Sequence, residues 1–186
     1  MNPIVEQLKK YGSFSEEAAK DIVLNTNHFF KTKGDHFLRA GQRVSSYFVL
    51  NKGIIRAYFS RKGKEVNTWF GEEHQIFCSI LPVYTDKPSF ENIQFLEDSE
   101  VYAIPAADMH ALYNSYPELN LVGRKMAEEV CVVLEDRITS LHTETATERY
   151  HSLIRQQPNL LNRISLGHIA SYLGITQETL SRIRKE

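Results

Sequence analysis

The sequence predicts an α+β chain in which an N-terminal β jelly roll is followed by one long helix and a C-terminal helix-turn-helix. Three observations carry that prediction. Apolar residues recur in short β-branched and aromatic runs from His28 to Ile104, an apolar period of three and four residues begins at Pro117, and the stretch Leu166–Glu186 has the spacing of two helices crossing through a tight turn. With 186 residues, 42% of them hydrophobic, the chain can bury one larger and one smaller core. The expected division is a β barrel over residues 1–116, a long helix over 117–142 and a helix-turn-helix over 143–186.

The first element is a short amphipathic helix from Ser15 to Leu24, with Ser15 as its cap and Glu16 and Glu17 in the first turn, where the helix dipole favours acids. The period then changes. Candidate strands are His28–Phe30, Tyr47–Leu50, Ile54–Phe59, Val66–Phe70, Ile76–Phe77, Ile93–Phe95 and Val101–Ile104. The turn residues Lys33-Gly34-Asp35, Ala40-Gly41-Gln42, Asn51-Lys52-Gly53 and Lys62-Gly63-Lys64 separate the earlier ones. Such spacing suits a small antiparallel jelly roll.

Helical periodicity returns beyond Pro105, and Pro117 suits a first helical turn. Leu119, Val122, Met126, Val130, Val133, Leu134, Ile138 and Leu141 repeat on one side, with Arg124, Lys125, Glu128, Asp136 and Arg137 between them. At ~1.5 Å per residue this helix is roughly 37 Å long, more than a small domain needs for its own core. Val122, Met126, Val130, Val133 and Ile138 are therefore expected to form a dimer seam. The polar segment Thr143–Glu148 reads as a hinge, with Thr147 capping the next helix, a break at Pro158-Asn159 and a further cap at Ser165.

The formal charge of −1 excludes binding of nucleic acid by bulk positive charge, yet it averages unlike regions. Residues 144–186 hold 6 Lys/Arg against 4 Asp/Glu, and Arg182, Arg184 and Lys185 crowd the end. No basic stretch with an apolar run follows Met1, and no window approaches the ~20 apolar residues of a membrane span, so a cytoplasmic chain is expected. The two cysteines, Cys78 and Cys131, fit neither a C-x-x-C metal pattern nor a disulfide framework and are expected to be buried thiols.

The most informative stretch begins at Leu166. In a helix-turn-helix frame from that residue, Ala170 falls where the helices nearly touch, Gly174 falls at the turn, and Ile169, Leu173, Ile175, Leu180 and Ile183 take the inward positions. Thr176 caps the second helix, which turns Gln177, Glu178, Ser181, Arg182 and Lys185 outward. Arginine can donate two bonds to guanine O6 and N7, glutamate can accept from cytosine N4, and serine serves several partners. Arg184 and Lys185 suit phosphates, which set position without specifying sequence.

Across almost the whole chain, the order of barrel, long helix and terminal helix-turn-helix resembles the Crp/Fnr regulators of bacteria, whose sensor is a cyclic nucleotide-binding-like domain. The run Gln177–Arg182 looks like that family's recognition helix, and Gly41, Gly53 and Gly63 match glycines at its barrel turns. The resemblance implies base contacts for Glu178, Ser181 and Arg182, and a homodimer on a two-fold symmetric double-stranded DNA operator. Half-sites would lie about 34 Å apart. RNA polymerase is a further partner such a regulator would meet.

The family's cyclic-nucleotide members carry a Gly-Glu pair followed about ten residues later by Arg-Ser or Arg-Thr. Phe70-Gly71-Glu72 imitates that cassette, but alignment back from Ser99-Glu100-Val101 places Cys78 and Ser79 at Gly-Glu and Ser89 and Phe90 at Arg-Ser. No arginine occurs between Arg61 and Arg124, and Lys87 is a flexible point charge without a planar fork. The sequence thus argues against a cyclic nucleotide at an effector pocket of Cys78, Ser79, Lys87, Ser89 and Phe90, and leaves the effector unknown. Two cysteines are too few for an iron–sulfur cluster with about four thiolate ligands. His28, His36, His74 and His110 could count as haem ligands but read as surface or satisfied polar residues. A cupin-type enzyme would need a His-x-His pair, which the chain lacks, so no catalytic or metal site is expected. The competing reading is an interaction or ligand-binding module of the same fold with weak or lost DNA binding.

Overall fold

A computed structural model describes residues 1–185; Glu186, the last residue of the expected helix-turn-helix segment, lies outside the described residues. The chain forms two compact units: Met1–Ala57 with Phe70–Glu128, and Tyr58–Trp69 with Glu129 onward. The boundary between the two units thus falls at Glu128–Glu129.

The described residues form eight strands, β1 (Asn27–Lys31), β2 (His36–Leu38), β3 (Ser46–Lys52), β4 (Ile55–Arg61), β5 (Lys64–Gly71), β6 (Ile76–Cys78), β7 (Asn92–Phe95) and β8 (Ser99–Pro105), all in the first unit except the Tyr58–Trp69 part of β4 and β5. They make two four-stranded sheets of order β1-β8-β3-β6 and β2-β7-β4-β5, the jelly-roll interleaving of early and late strands. β1 pairs antiparallel with β8 in the register Asn27↔Ala103 to Lys31↔Ser99, and β8 pairs in turn with β3, Phe48 facing Ala103.

Strand β3 is apolar without alternation because both its faces are covered. Tyr47 and Val49 join the cluster of Ile4, Leu8, Ile22, Met109 and Leu119. Phe48 points the other way, its ring 4.1 Å from that of Phe37 and 5.6 Å from that of Phe77. The covering helices are α1 (Pro3–Lys9), α2 (Glu16–Leu24), α4 (Ala106–Ser115) and the start of α5 (Glu118–Thr143), while α3 (Ile80–Thr85) follows β6. Helix α1 starts because Asn2 Oδ1 accepts the Ile4 amide at 2.9 Å and Pro3 occupies the first turn, where its missing N–H is not needed. Ser15 caps α2 as expected, accepting the Ala18 amide at 3.2 Å.

The second unit holds the remainder of α5 with α6 (Ala146–Gln156), α7 (Leu160–Arg163), α8 (Leu166–Leu173) and α9 (Gln177–Ile183). Tyr150, Leu153, Leu160, Ile164, Ile169, Ala170, Leu173, Leu180 and Ile183 are buried apolar residues of these helices and the turns between them. Thr145, and not Thr147, caps α6: its hydroxyl accepts the Glu148 amide while the Glu148 carboxylate accepts the Thr145 amide at 2.7 Å, a closed capping box. Arg149 Nη1 also donates to the Glu144 carbonyl, at 2.5 Å. The hairpin segment Tyr58–Trp69 in this unit meets α8, where Ser171 Oγ donates to the Glu65 carbonyl at 2.9 Å and accepts the Asn67 amide at 3.1 Å.

Candidate nucleic-acid interface

Two helices of seven and eight residues must hold each other up, and the sequence gives each a cap and an inward row. Ser165 accepts the His168 amide at the start of α8, and Thr176 Oγ1 accepts the Thr179 amide at 3.2 Å at the start of α9. Between them Gly174 adopts φ 71°, a left-handed value where a Cβ would strain the turn. Ile169, Ala170, Leu173 and Leu180 are at most 2% exposed and close the crossing; Ile175, also expected inward, is half-buried. Gly167, which the sequence reading passed over, is a second point of close approach. A Cβ there would stand 2.8 Å from Gln177 Nε2.

With that row buried, Thr176, Gln177, Glu178, Ser181, Arg182, Arg184 and Lys185 are all exposed. The structure brings the candidate reading residues onto one open side of α9 and its end. Arg182 Nη2 donates to Thr179 Oγ1 at 3.3 Å, so the guanidinium is steadied by the next turn. The Glu178 carboxyl is held below its ordinary 4.5, first by its own backbone amide, then by the Thr176 hydroxyl, with the Arg182 charge adding. At neutral pH it is an acceptor only, the state a cytosine amino group requires.

The expected seam residues divide. Val122 and Met126 pack into their own chain's core, at 0% and 7% exposure, and are withdrawn from the seam. Their spacing was right for a helix stripe, but the start of α5 spends that stripe on its own barrel. Val130, Val133 and Ile138 are exposed, and so are Leu134 and Leu141. Cys131, expected to be buried, is exposed as well, and with Leu134, Ile138 and Leu141 it recurs at coiled-coil intervals of three and four residues.

The five cassette positions also divide. Lys87 and Phe90 face solvent. Ser79 and Ser89 are buried with their hydroxyls 3.3 Å apart, and Ser79 Oγ also reaches Glu91 Oε1 at 3.2 Å. Burial, and after it the Glu91 carboxylate, pushes the neighbouring Cys78 thiol up to about 12, which keeps it protonated. A carboxylate therefore stands beside the two buried hydroxyls. Glu91 was missed because only its distance in sequence, not its side-chain direction, could be read. A buried cation was missed too. Arg56 of β4 is 4% exposed and donates from Nε and Nη2 to Gln94 Oε1 at 2.9 and 2.7 Å. Its signal was an arginine inside the otherwise apolar run Ile54–Phe59. Among the described residues no three His, Cys, Asp or Glu side chains converge as metal ligands, and no helix is long and apolar enough to cross a membrane.

Comparison with known proteins gives concordant results. The cyclic nucleotide-binding domain family matches residues 30–116. The electron transport regulator A of Shewanella oneidensis is 28% identical over 167 residues, and the fumarate and nitrate reduction regulatory protein of Yersinia pestis 29% over 167. Each alignment covers 81% of this chain but 64% of the relative, so the chain spans under two thirds of those regulators' length. Among solved structures, FixK2 from Bradyrhizobium japonicum superposes with a TM-score of 0.73 at 17% identity, covering 86% of this chain and 83% of that one, a likeness of fold.

Proposed function

We propose that the chain is a cytoplasmic DNA-binding transcription regulator of the Crp/Fnr type, on the match of residues 30–116 to the cyclic nucleotide-binding domain family and the likeness to the fumarate and nitrate reduction regulatory protein. Two copies pair along the exposed stripe of α5 and place their α9 helices in successive major grooves of a two-fold operator. The observation that carries this reading is α9 itself, which buries Leu180 and Ile183 and leaves Gln177, Glu178, Ser181 and Arg182 open. Glu178, Ser181 and Arg182 read bases, while Arg184 and Lys185 hold phosphates. The role is one of binding and not of catalysis, and RNA polymerase is the machinery such a regulator would act on.

The barrel responds to an effector or partner other than a cyclic nucleotide. The support is the Ser79–Ser89–Glu91 arrangement, which offers a negative charge to the phosphate of any such ligand. Selection of DNA from a random pool, followed by titration at several salt concentrations beside Arg182→Ala, tests the main reading. A palindromic site with a guanine that Arg182→Ala no longer distinguishes is expected. The preference lost corresponds to about 1–3 kcal/mol. A signal independent of DNA sequence in both proteins would replace this reading with an interaction module that has lost specific DNA binding.

A further inference from the structure

Helix α8 ends with carbonyls that need partners. The amides of Gly174 and Ile175 return to Ser171 and Ala170, which leaves the carbonyls of Tyr172 and Leu173 to be satisfied from outside the helix, at the negative end of its dipole. Two arginines from other helices reach them. Arg137 of α5 donates through Nη2 to the Tyr172 carbonyl, and its guanidinium carbon lies 3.8 Å from the centroid of the Tyr172 ring. Arg149 of α6 donates through Nε to the Leu173 carbonyl at 3.2 Å and through Nη1 to the Glu144 carbonyl, just past α5.

One planar cation therefore ties the end of α5 to the end of α8, and the other is stacked and bonded between the same two helices. The arrangement brings like charges together: Arg137 is pulled below its ordinary value chiefly by burial, with Arg149 acting in the same direction. Surface cations placed only for solubility would not be driven together in this way. The motion of α9 follows that of α8, because Ile169, Leu173, Leu180 and Ile183 lock the two and Gly167 abuts Gln177.

We infer that Arg137 and Arg149 are positioning residues for DNA recognition: they fix the direction of the α8–α9 pair against the second half of α5, and so fix the spacing of half-sites that a dimer accepts. The inference rests on the pairing along α5 proposed above. A guanidinium suits the task because its rigid fork holds direction, whereas a lysine would supply charge without orientation. Half-sites must match both distance and rotation along the duplex, about 10 base pairs per turn, so a small loss of angular definition relaxes the choice of spacer.

The test is binding of the full chain to DNAs that carry two selected half-sites with spacers varied one base pair at a time, beside a single half-site. Wild type should prefer one spacer at least tenfold over those two base pairs longer or shorter. Arg137→Ala and Arg149→Ala should flatten that ratio below threefold while keeping single-half-site affinity within threefold of wild type. Arg137→Lys should behave as Arg137→Ala does, and if the alanine variants lose their helical circular dichroism the lysine variant alone decides. Arg182→Ala should weaken every spacer alike. An Arg137→Lys protein that is folded and keeps the tenfold preference overturns the clamp and leaves the dimer reading standing. A wild type indifferent to spacing overturns both.

Discussion

Replacing Leu180 with alanine should loosen the reading head while sparing the barrel. Leu180 is fully buried, on α9 where that helix contacts α8 in the second unit. The change removes three carbons at ~0.8 kcal/mol each, and the unfilled space adds to the loss, so about 3–4 kcal/mol of local stability disappears. At about 1.4 kcal/mol per factor of ten, the opening equilibrium of α8 and α9 shifts by at least ~100-fold. Amide hydrogen exchange read by mass spectrometry reports this directly, because protection in each segment follows its own opening free energy. Peptides covering residues 166–183 should exchange about 100-fold faster, whereas those covering β3 and β8, whose core comprises Tyr47, Val49 and Ile104 on one face, should stay within threefold. Acceleration below tenfold in α8 and α9, or an equal acceleration in β3 and β8, would refute the assignment of Leu180 to a separate core.

Gly53→Ala should cost about 3 kcal/mol in a urea melt, since φ is +111° and a Cβ would sit 2.0 Å from Ser99 Oγ and 3.0 Å from its backbone Cα; a loss below 1 kcal/mol would contradict the contact. Thr145→Ala should remove about 1 kcal/mol by opening the α6 cap, seen as faster exchange at the Ala146–Glu148 amides. Glu178 should titrate by NMR below 4.5 and move back toward it in Thr176→Ala. Because its folded value is depressed, its contribution to stability is present above the unfolded value and is lost only as pH falls through the lower folded one. Cys78 should resist a thiol reagent at pH 8 in a folded Cys131→Ser chain and react on unfolding, since its thiol is pushed up to about 12.

Much of this architecture could be read from local chemistry. Six longer strands and the three-residue β6 declared themselves through β-branched and aromatic runs, and the turn at Gly174 through a glycine at the one place in the frame that needs a positive φ. Elements of few residues escaped. β2 (His36–Leu38) was not marked as a run of its own, and α3 contains Pro82 and has no side-chain cap hydrogen bond. Helix α1 was passed over although Asn2-Pro3 is a good start signal. The candidate reading face was legible because inward and outward residues alternate with the turn of α9. The arginines at the end of α8 were not, because a bond between residues 35 positions apart has no trace in spacing. Val122 and Met126 show the same blindness, since periodicity reveals a stripe but not which body it is buried against.

The pairing of β1 with β8 also bears on how the chain is made. Asn27 cannot meet Ala103 until the ribosome has synthesised everything between them, which at ~5–20 residues per second takes several seconds. During that interval the first strand is an unpaired edge, and closure must recover the loop entropy of a long intervening segment before any hydrogen bond rewards it. Substitutions along Asn27–Lys31 or Ser99–Ala103 should therefore lower the yield of soluble protein from cells more than they lower the stability of molecules already folded.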